Sequence, residues 1–184
     1  MRTAQEMLSF CTERKYSSGI SQSFGIKNFA IIEKALKPDE TVIFCFVGLH
    51  NYVSTGEHGG TCSFAFTKDR LMLAKKKVFG GEIFNTIPLA EVNNISYESG
   101  MIFGNFKLTC TTSTLSIGMD KLVAEPVYQE LQNILQEYKG KPKTQHVVQH
   151  NASIDELKKY HELLYAGIIT QEEFDSKKKQ FLGQ

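Results

Sequence analysis

The chain has 184 residues, 41% of them hydrophobic, with 13 Phe and 7 Tyr. That is room for one ordinary domain with its own core and a small appendage. Its 21 basic and 20 acidic side chains nearly cancel, which excludes a global field that would gather nucleic acid or an anionic membrane; such binding would need a local patch.

The first residues, Met1 to Phe10, hold no long apolar region and no small-residue cleavage site, so no secretory signal is expected. No stretch approaches the ~18 apolar residues of a membrane span. Cys11, Cys45, Cys62 and Cys110 are far apart and form no Cys-x-x-Cys pair. They read as structural thiols in a reducing cytosol, and a cytoplasmic location is expected.

Thr3 and Glu6 make a capping-box pattern that opens a first helix bearing Met7, Leu8, Phe10 and Cys11. Ser17-Ser18-Gly19 interrupts it. The spacing of Phe29, Ile32 and Leu36 predicts a second helix from about Ile26 to Leu36, ended by Pro38.

A run of strands follows. Thr41 to Leu49 is apolar at every position from Val42 to Val47, as in a strand buried on both faces. Thr55 to Gly60 reads as a loop. Thr61 to Thr67 alternates, with Cys62, Phe64 and Phe66 on one face. Lys68-Asp69-Arg70 is a polar turn before Leu71 and Leu73, and Lys75-Lys76-Lys77 marks another. The pattern resumes near Gly81 through Ile83, Ile87 and Leu89. Val92 to Tyr97 is a further strand, with a hairpin signal at Ser99-Gly100. Ile102, Phe106, Leu108 and Cys110 then share one face. Leu115, Ile117 and Met119 complete the set. About seven short strands at this spacing predict a closed or nearly closed antiparallel barrel.

Asp120 can cap the turn after the last strand, and Pro126 suits the first turn of a helix. Val127, Leu131, Ile134, Leu135 and Tyr138 form its apolar stripe, which should pack across a mouth of the barrel and cover open edges. The polar stretch from Lys139 to Asn151 reads as a linker. Beyond it, capping boxes at Ser153/Glu156 and Thr170/Glu173 predict two short helices around Gly167. At this length neither helix is stable alone in water, so the pair should dock on something. The division is an N-terminal helical segment (1–38), a barrel with its capping helix (39–139), a linker (140–151) and a helical hairpin (152–184). The fold class is mainly β with helices (α+β).

Two resemblances emerge. Leu36-Lys37-Pro38-Asp39-Glu40, then Phe66-Thr67-Lys68-Asp69-Arg70-Leu71, then Ile87-Pro88-Leu89 to Ile95-Ser96-Tyr97 resemble, in order, the bacterial pleckstrin-homology-like (PH-like) family often called YokE-like. The stretch from Asp155 to Phe174, with its Gly167-Ile168-Ile169-Thr170 core and the continuation Lys177 to Leu182, resembles the SHOCT (short C-terminal domain) module. The first resemblance implies a binding barrel. The second implies a small helical hairpin suspected of oligomerisation or partner binding, with no known catalytic residues. Leu157, Tyr160, Leu164, Ile168, Ile169, Phe174 and Phe181 are its candidate interface residues.

Other chemistry is sparse. Lys68, Arg70, Lys75, Lys76 and Lys77 form a candidate anionic-ligand patch, although charged turns are also ordinary solvated features. Eukaryotic PH domains hold inositol phosphates with basic residues around the first loop; here no Lys or Arg occurs from Pro38 through Thr67, so that route is disfavoured. His146 and His150 have helical metal-ligand spacing but no third ligand nearby. His50, Glu57 and His58 share a glycine-rich loop too loose for catalysis. No phosphate loop and no nucleophile elbow is present.

The expected function is therefore a non-enzymatic binding and assembly protein. Its partner is itself, as a homo-oligomer, or another protein. The alternative is a peripheral membrane protein binding anionic lipid through its lysine turns and its amphipathic first helix. No catalytic residue, metal, cofactor, small-molecule substrate or nucleic-acid partner is expected.

Overall fold

The computed structural model describes residues 1–17 and 22–139. The predicted linker and hairpin, with Leu157, Tyr160, Leu164, Ile168, Ile169, Phe174 and Phe181, lie outside them, as do His146 and His150.

Helix α1 spans Ala4–Glu13, and both halves of its capping box form: the Thr3 hydroxyl accepts from Glu6 N–H, and the Glu6 carboxylate accepts from Thr3 N–H at 3.0 Å. Helix α2 spans Gln22–Ala35, starting four residues before the expected Ile26 and stopping one before Leu36. It stops there because Lys37 precedes Pro38 and is pushed out of the helical region.

Seven strands follow: β1 Phe44–His50, β2 Thr61–Phe66, β3 Arg70–Lys76, β4 Glu82–Pro88, β5 Val92–Ser99, β6 Phe103–Cys110 and β7 Thr114–Asp120. They form one antiparallel sheet in the order β4-β3-β2-β1-β7-β6-β5. Helix α3, Lys121–Lys139, comes last. The strands β4 and β5 are the two edges of the sheet. These two are not paired with each other, and side chains fill the space between the halves of the sheet.

The inner face gathers residues from β1, β2, β3, β5, β6 and β7 into one core. Phe46 stacks on Phe64 at 5.0 Å and meets Phe106 edge-on at 5.7 Å. Such pairs add to the burial of the rings themselves. Into this core α3 lowers Val127, Leu131, Ile134 and Leu135, four residues of the stripe its periodicity predicts, together with Ala124. Tyr138, assigned to the same stripe, is 43% exposed.

The outer face of β1–β3 is covered too. Cys45, Val47, Ala65, Met72 and Ala74 pack against Met7, Cys11, Phe29 and Ile32 of α1 and α2. This explains why β1 is apolar at successive positions. It also corrects the expectation that α1 presents its apolar face to a membrane: Met7, Leu8 and Cys11 are buried, and Phe10 packs between Tyr16 and Phe44.

β1 pairs with β7 only at Leu49–Gly118 and His50–Ile117. Where the two strands part, the chain start takes over. Val47 N–H donates to the Tyr16 carbonyl and Val42 N–H to the Met1 carbonyl, both at 2.8 Å. At the junction the Tyr52 ring lies so close on Gly118 that a Cβ there would collide with it.

Three local expectations need correction. Lys75 and Lys76 belong to β3, and the turn begins at Lys77, because the β3–β4 pairing extends to Lys76–Glu82. Ile102 does not share the buried face of β6; it sits in the preceding turn and is exposed. Pro126 lies in the second turn of α3, not the first. The helix starts at Lys121, with the Asp120 carboxylate accepting from Leu122 N–H at 2.9 Å. The proline removes one backbone bond, while buried Ala124 and Val127 on either side hold the helix to the core.

Candidate functional site

The five candidate cations divide between the two ends of β3. Lys68 and Arg70 stand at its start, Lys75 and Lys76 at its end, with Lys77 in the turn beyond. The six residue steps of strand from Arg70 to Lys76 span roughly 20 Å, so these five do not form one patch.

At the first end, Arg70 is already bound. Its Nε donates to Glu40 Oε1 at 2.8 Å and its Nη2 to Glu40 Oε2 at 2.6 Å. The same Nη2 donates to the Ala35 carbonyl at the end of α2, at 2.9 Å. Thr67 Oγ1 donates to Glu40 Oε1 at 3.0 Å, and Lys37 N–H to Oε2 at 3.1 Å. Two-pronged pairing of this kind is the strong geometry for Arg and carboxylate. Glu40 and Arg70 are both largely buried. The Arg70 hydrogen bonds, foremost, hold the Glu40 carboxyl down at about 2 from its ordinary 4.5, against the opposing effect of burial. The runs Leu36–Glu40 and Phe66–Leu71 therefore meet in one structural clamp. Lys68 borders the clamp, lining a cleft of about 250 Å³ with Thr67, Leu89 and Glu137.

At the other end, the β1–β2 loop and the β3–β4 turn lie side by side. The loop has no Lys or Arg of its own, yet Lys75 Nζ reaches across and donates to the Gly59 carbonyl at 2.8 Å. This cation was invisible to a reading of the loop's own residues. Lys76 is 3.6 Å from Glu82, and Lys77 is exposed. The turn after Lys77 carries Val78 at 80% exposure and Phe79 at 102%. Gly80 and Gly81, at φ +94° and +80°, supply the left-handed backbone that closes it. Val53 on the neighbouring loop is also exposed. The lysine run is conspicuous in the sequence; the apolar pair beyond it is not, because two apolar residues in a strand-rich segment give no sign of exposure.

The histidine loop does not converge on a catalytic arrangement. His50 is half-buried, and burial, with Lys75 nearby, lowers its pKa. His58 Nδ1 accepts from Gly60 N–H at 2.9 Å, a local turn contact. Among the described residues no three His, Cys, Asp or Glu side chains are grouped to hold a metal ion. All four cysteines are buried and free, with Cys11 and Cys45 sulfurs 3.5 Å apart, and burial pushes the Cys62 thiol up to about 11. Among the described residues, no helix is long and apolar enough to cross a membrane.

Residues 36–133, more than half of the chain, match the sequence family described as Bacterial PH domain. No curated protein matches. Among solved structures, the chain is similar to a pleckstrin homology domain from Shewanella amazonensis SB2B, at 18% identity and a TM-score of 0.42, over 61% of this chain and 95% of that one. It is also similar to a DUF1696 family protein with a pleckstrin-homology domain from Shewanella loihica PV-4, at 15% identity and a TM-score of 0.41, over 59% and 86%. A third is the hSac2 domain from human phosphoinositide phosphatase Sac2, at 8% identity and a TM-score of 0.43, over 65% and 91%.

Because the Glu40 pKa is lower folded than unfolded, its stabilising contribution is complete above about pH 5 and drains away as pH falls toward about 2. Glu40→Gln leaves Arg70 buried without its counter-charge. It should cost roughly 3 kcal/mol at pH 7 in urea unfolding. The acid-induced loss of stability over that window should also be shallower than in the wild type.

Proposed function

This chain belongs to the bacterial PH domain family, and we propose that it is a non-enzymatic interaction protein, its PH-like domain a surface-binding scaffold and its C-terminal hairpin an assembly element. The observation that carries this reading is the filled interior. Phe44, Phe46, Phe64, Phe66 and Phe106 occupy the space between the halves of the sheet. Partners therefore meet the domain on its outside, on loops and edges. PH-like folds serve binding far more often than chemistry, an analogy at the level of fold.

The assembly role rests on residues 152–184, whose sequence resembles a SHOCT module, as the stretch from about Ala30 to Lys139 resembles the YokE-like branch. Leu157, Tyr160, Leu164, Ile168, Ile169, Phe174 and Phe181 give two short amphipathic stretches more apolar surface than a lone hairpin can bury. A second copy of the chain, or another protein in the cytoplasm, would cover it. Ending the chain after Lys143 should lower the solution mass measured by light scattering from an oligomer to a monomer. An equal number of copies per particle with and without the hairpin contradicts self-assembly through it.

A second reading is peripheral attachment to anionic lipid. It is favoured by the placement of Lys75, Lys76 and Lys77 together at one end of the sheet, not by α1, whose apolar face is used in the core. Full-length protein should co-sediment with vesicles rich in phosphatidylglycerol at low salt and be released at high salt.

A further inference from the structure

We propose that the β3–β4 turn is a wedge that enters an anionic bilayer, with Val78 and Phe79 in the interfacial layer and Lys77 at the head groups. This rests on the reading of lipid attachment and names its contact. A hairpin tip is ordinarily polar. Here two large apolar side chains stand at the tip, with Phe79 fully in solvent. The strands behind them make the tip firm. Pairing runs without interruption from Arg70–Pro88 to Lys76–Glu82, and Lys77 N–H closes the turn on the Gly81 carbonyl at 3.1 Å. The presentation is fixed by the sheet, not by a loose loop.

Positive charge lies behind the tip, at the same end of the sheet. Lys75 is anchored to Gly59, Lys76 to Glu82, and Lys77 has its head in solvent. Asn28 of α2 accepts from Lys76 N–H at 2.7 Å, which brings the helix turn bearing exposed Lys27 to the same end. Glu57 and Glu82 are the acids of these segments, so cations exceed acids there. Each lysine near an anionic surface adds about 1 kcal/mol of attraction.

A lipid surface suits this shape better than a protein does. A specific protein interface needs about 800 Å² from each partner. A single aromatic ring offers about 150–250 Å², and Val78 adds less, on a projecting point. A bilayer accepts a point without shape complementarity, and its anionic head groups match the lysines behind it.

The chain contains no Trp, so Phe79→Trp makes a single fluorescent reporter at the tip. With full-length protein and vesicles of equal parts phosphatidylcholine and phosphatidylglycerol, its emission should shift to the blue. The shift should be absent with pure phosphatidylcholine. Phe79→Ser should weaken partitioning roughly tenfold, as for about two CH₂ groups returned to water, and Lys77→Gln about fivefold. Both sites are exposed, so thermal unfolding should not change. Failure of the wild type to bind these vesicles at low salt overturns lipid attachment and the wedge together. Binding that Phe79→Ser leaves intact, with no blue shift from Phe79→Trp, overturns the wedge alone. A drop in lipid-free solution mass on Phe79→Ser assigns the tip to a second copy of the chain and likewise overturns it.

Discussion

The Glu40–Arg70 pair is the constraint on which the first half of the structure turns. One guanidinium binds the carboxylate through two nitrogens and the last turn of α2 through the Ala35 carbonyl. The same carboxylate takes Thr67, which organises the β2–β3 turn by accepting from Asp69 and Arg70 N–H. Helix end, strand approach and hairpin are thus registered to one another at a single buried point. A pair this enclosed adds little net stability over a well-packed apolar substitute, yet it is costly to break from one side. What it contributes is geometry. It places α2 on the outer face of β1–β3, where Phe29 and Ile32 close the second core.

That clamp also determines where function can reside. A cation committed to a carboxylate and a carbonyl has few donors left for a ligand, so the Arg70 end of β3 is structural. The interior is committed as well, since stacked Phe rings and the stripe of α3 fill it. The opposite end of β3 is the reverse case: its lysines are partly or wholly in solvent, and two apolar side chains extend past them. The asymmetry along one strand separates what holds the domain together from what it offers to its surroundings.

Much of this was legible beforehand, and for identifiable reasons. The capping box at Thr3 and Glu6 is local in sequence and local in space, so it could be read directly. Alternation in β2 and the helical stripe of α3 are short-range patterns tied to a core face. Apolarity at every position of β1 announced two covered faces without saying what covers the second; α1 and α2 do. Arg70 read as one more basic residue in a turn, since its partner is thirty residues away and no short-range rule connects them. Lys75 likewise serves a loop sixteen residues earlier. The exposure of Phe79 was hidden by its chemistry, because composition alone places a Phe inside.

The contrast between the two ends of β3 is tested most directly by hydrogen–deuterium exchange of the full-length protein with and without anionic vesicles. Slowed exchange should appear at amides around Lys77 to Gly81, while Thr67 to Arg70 exchange at the same rate in both samples. Slowing at Thr67 to Arg70, or at neither end, would contradict the assignment of a structural end and a binding end.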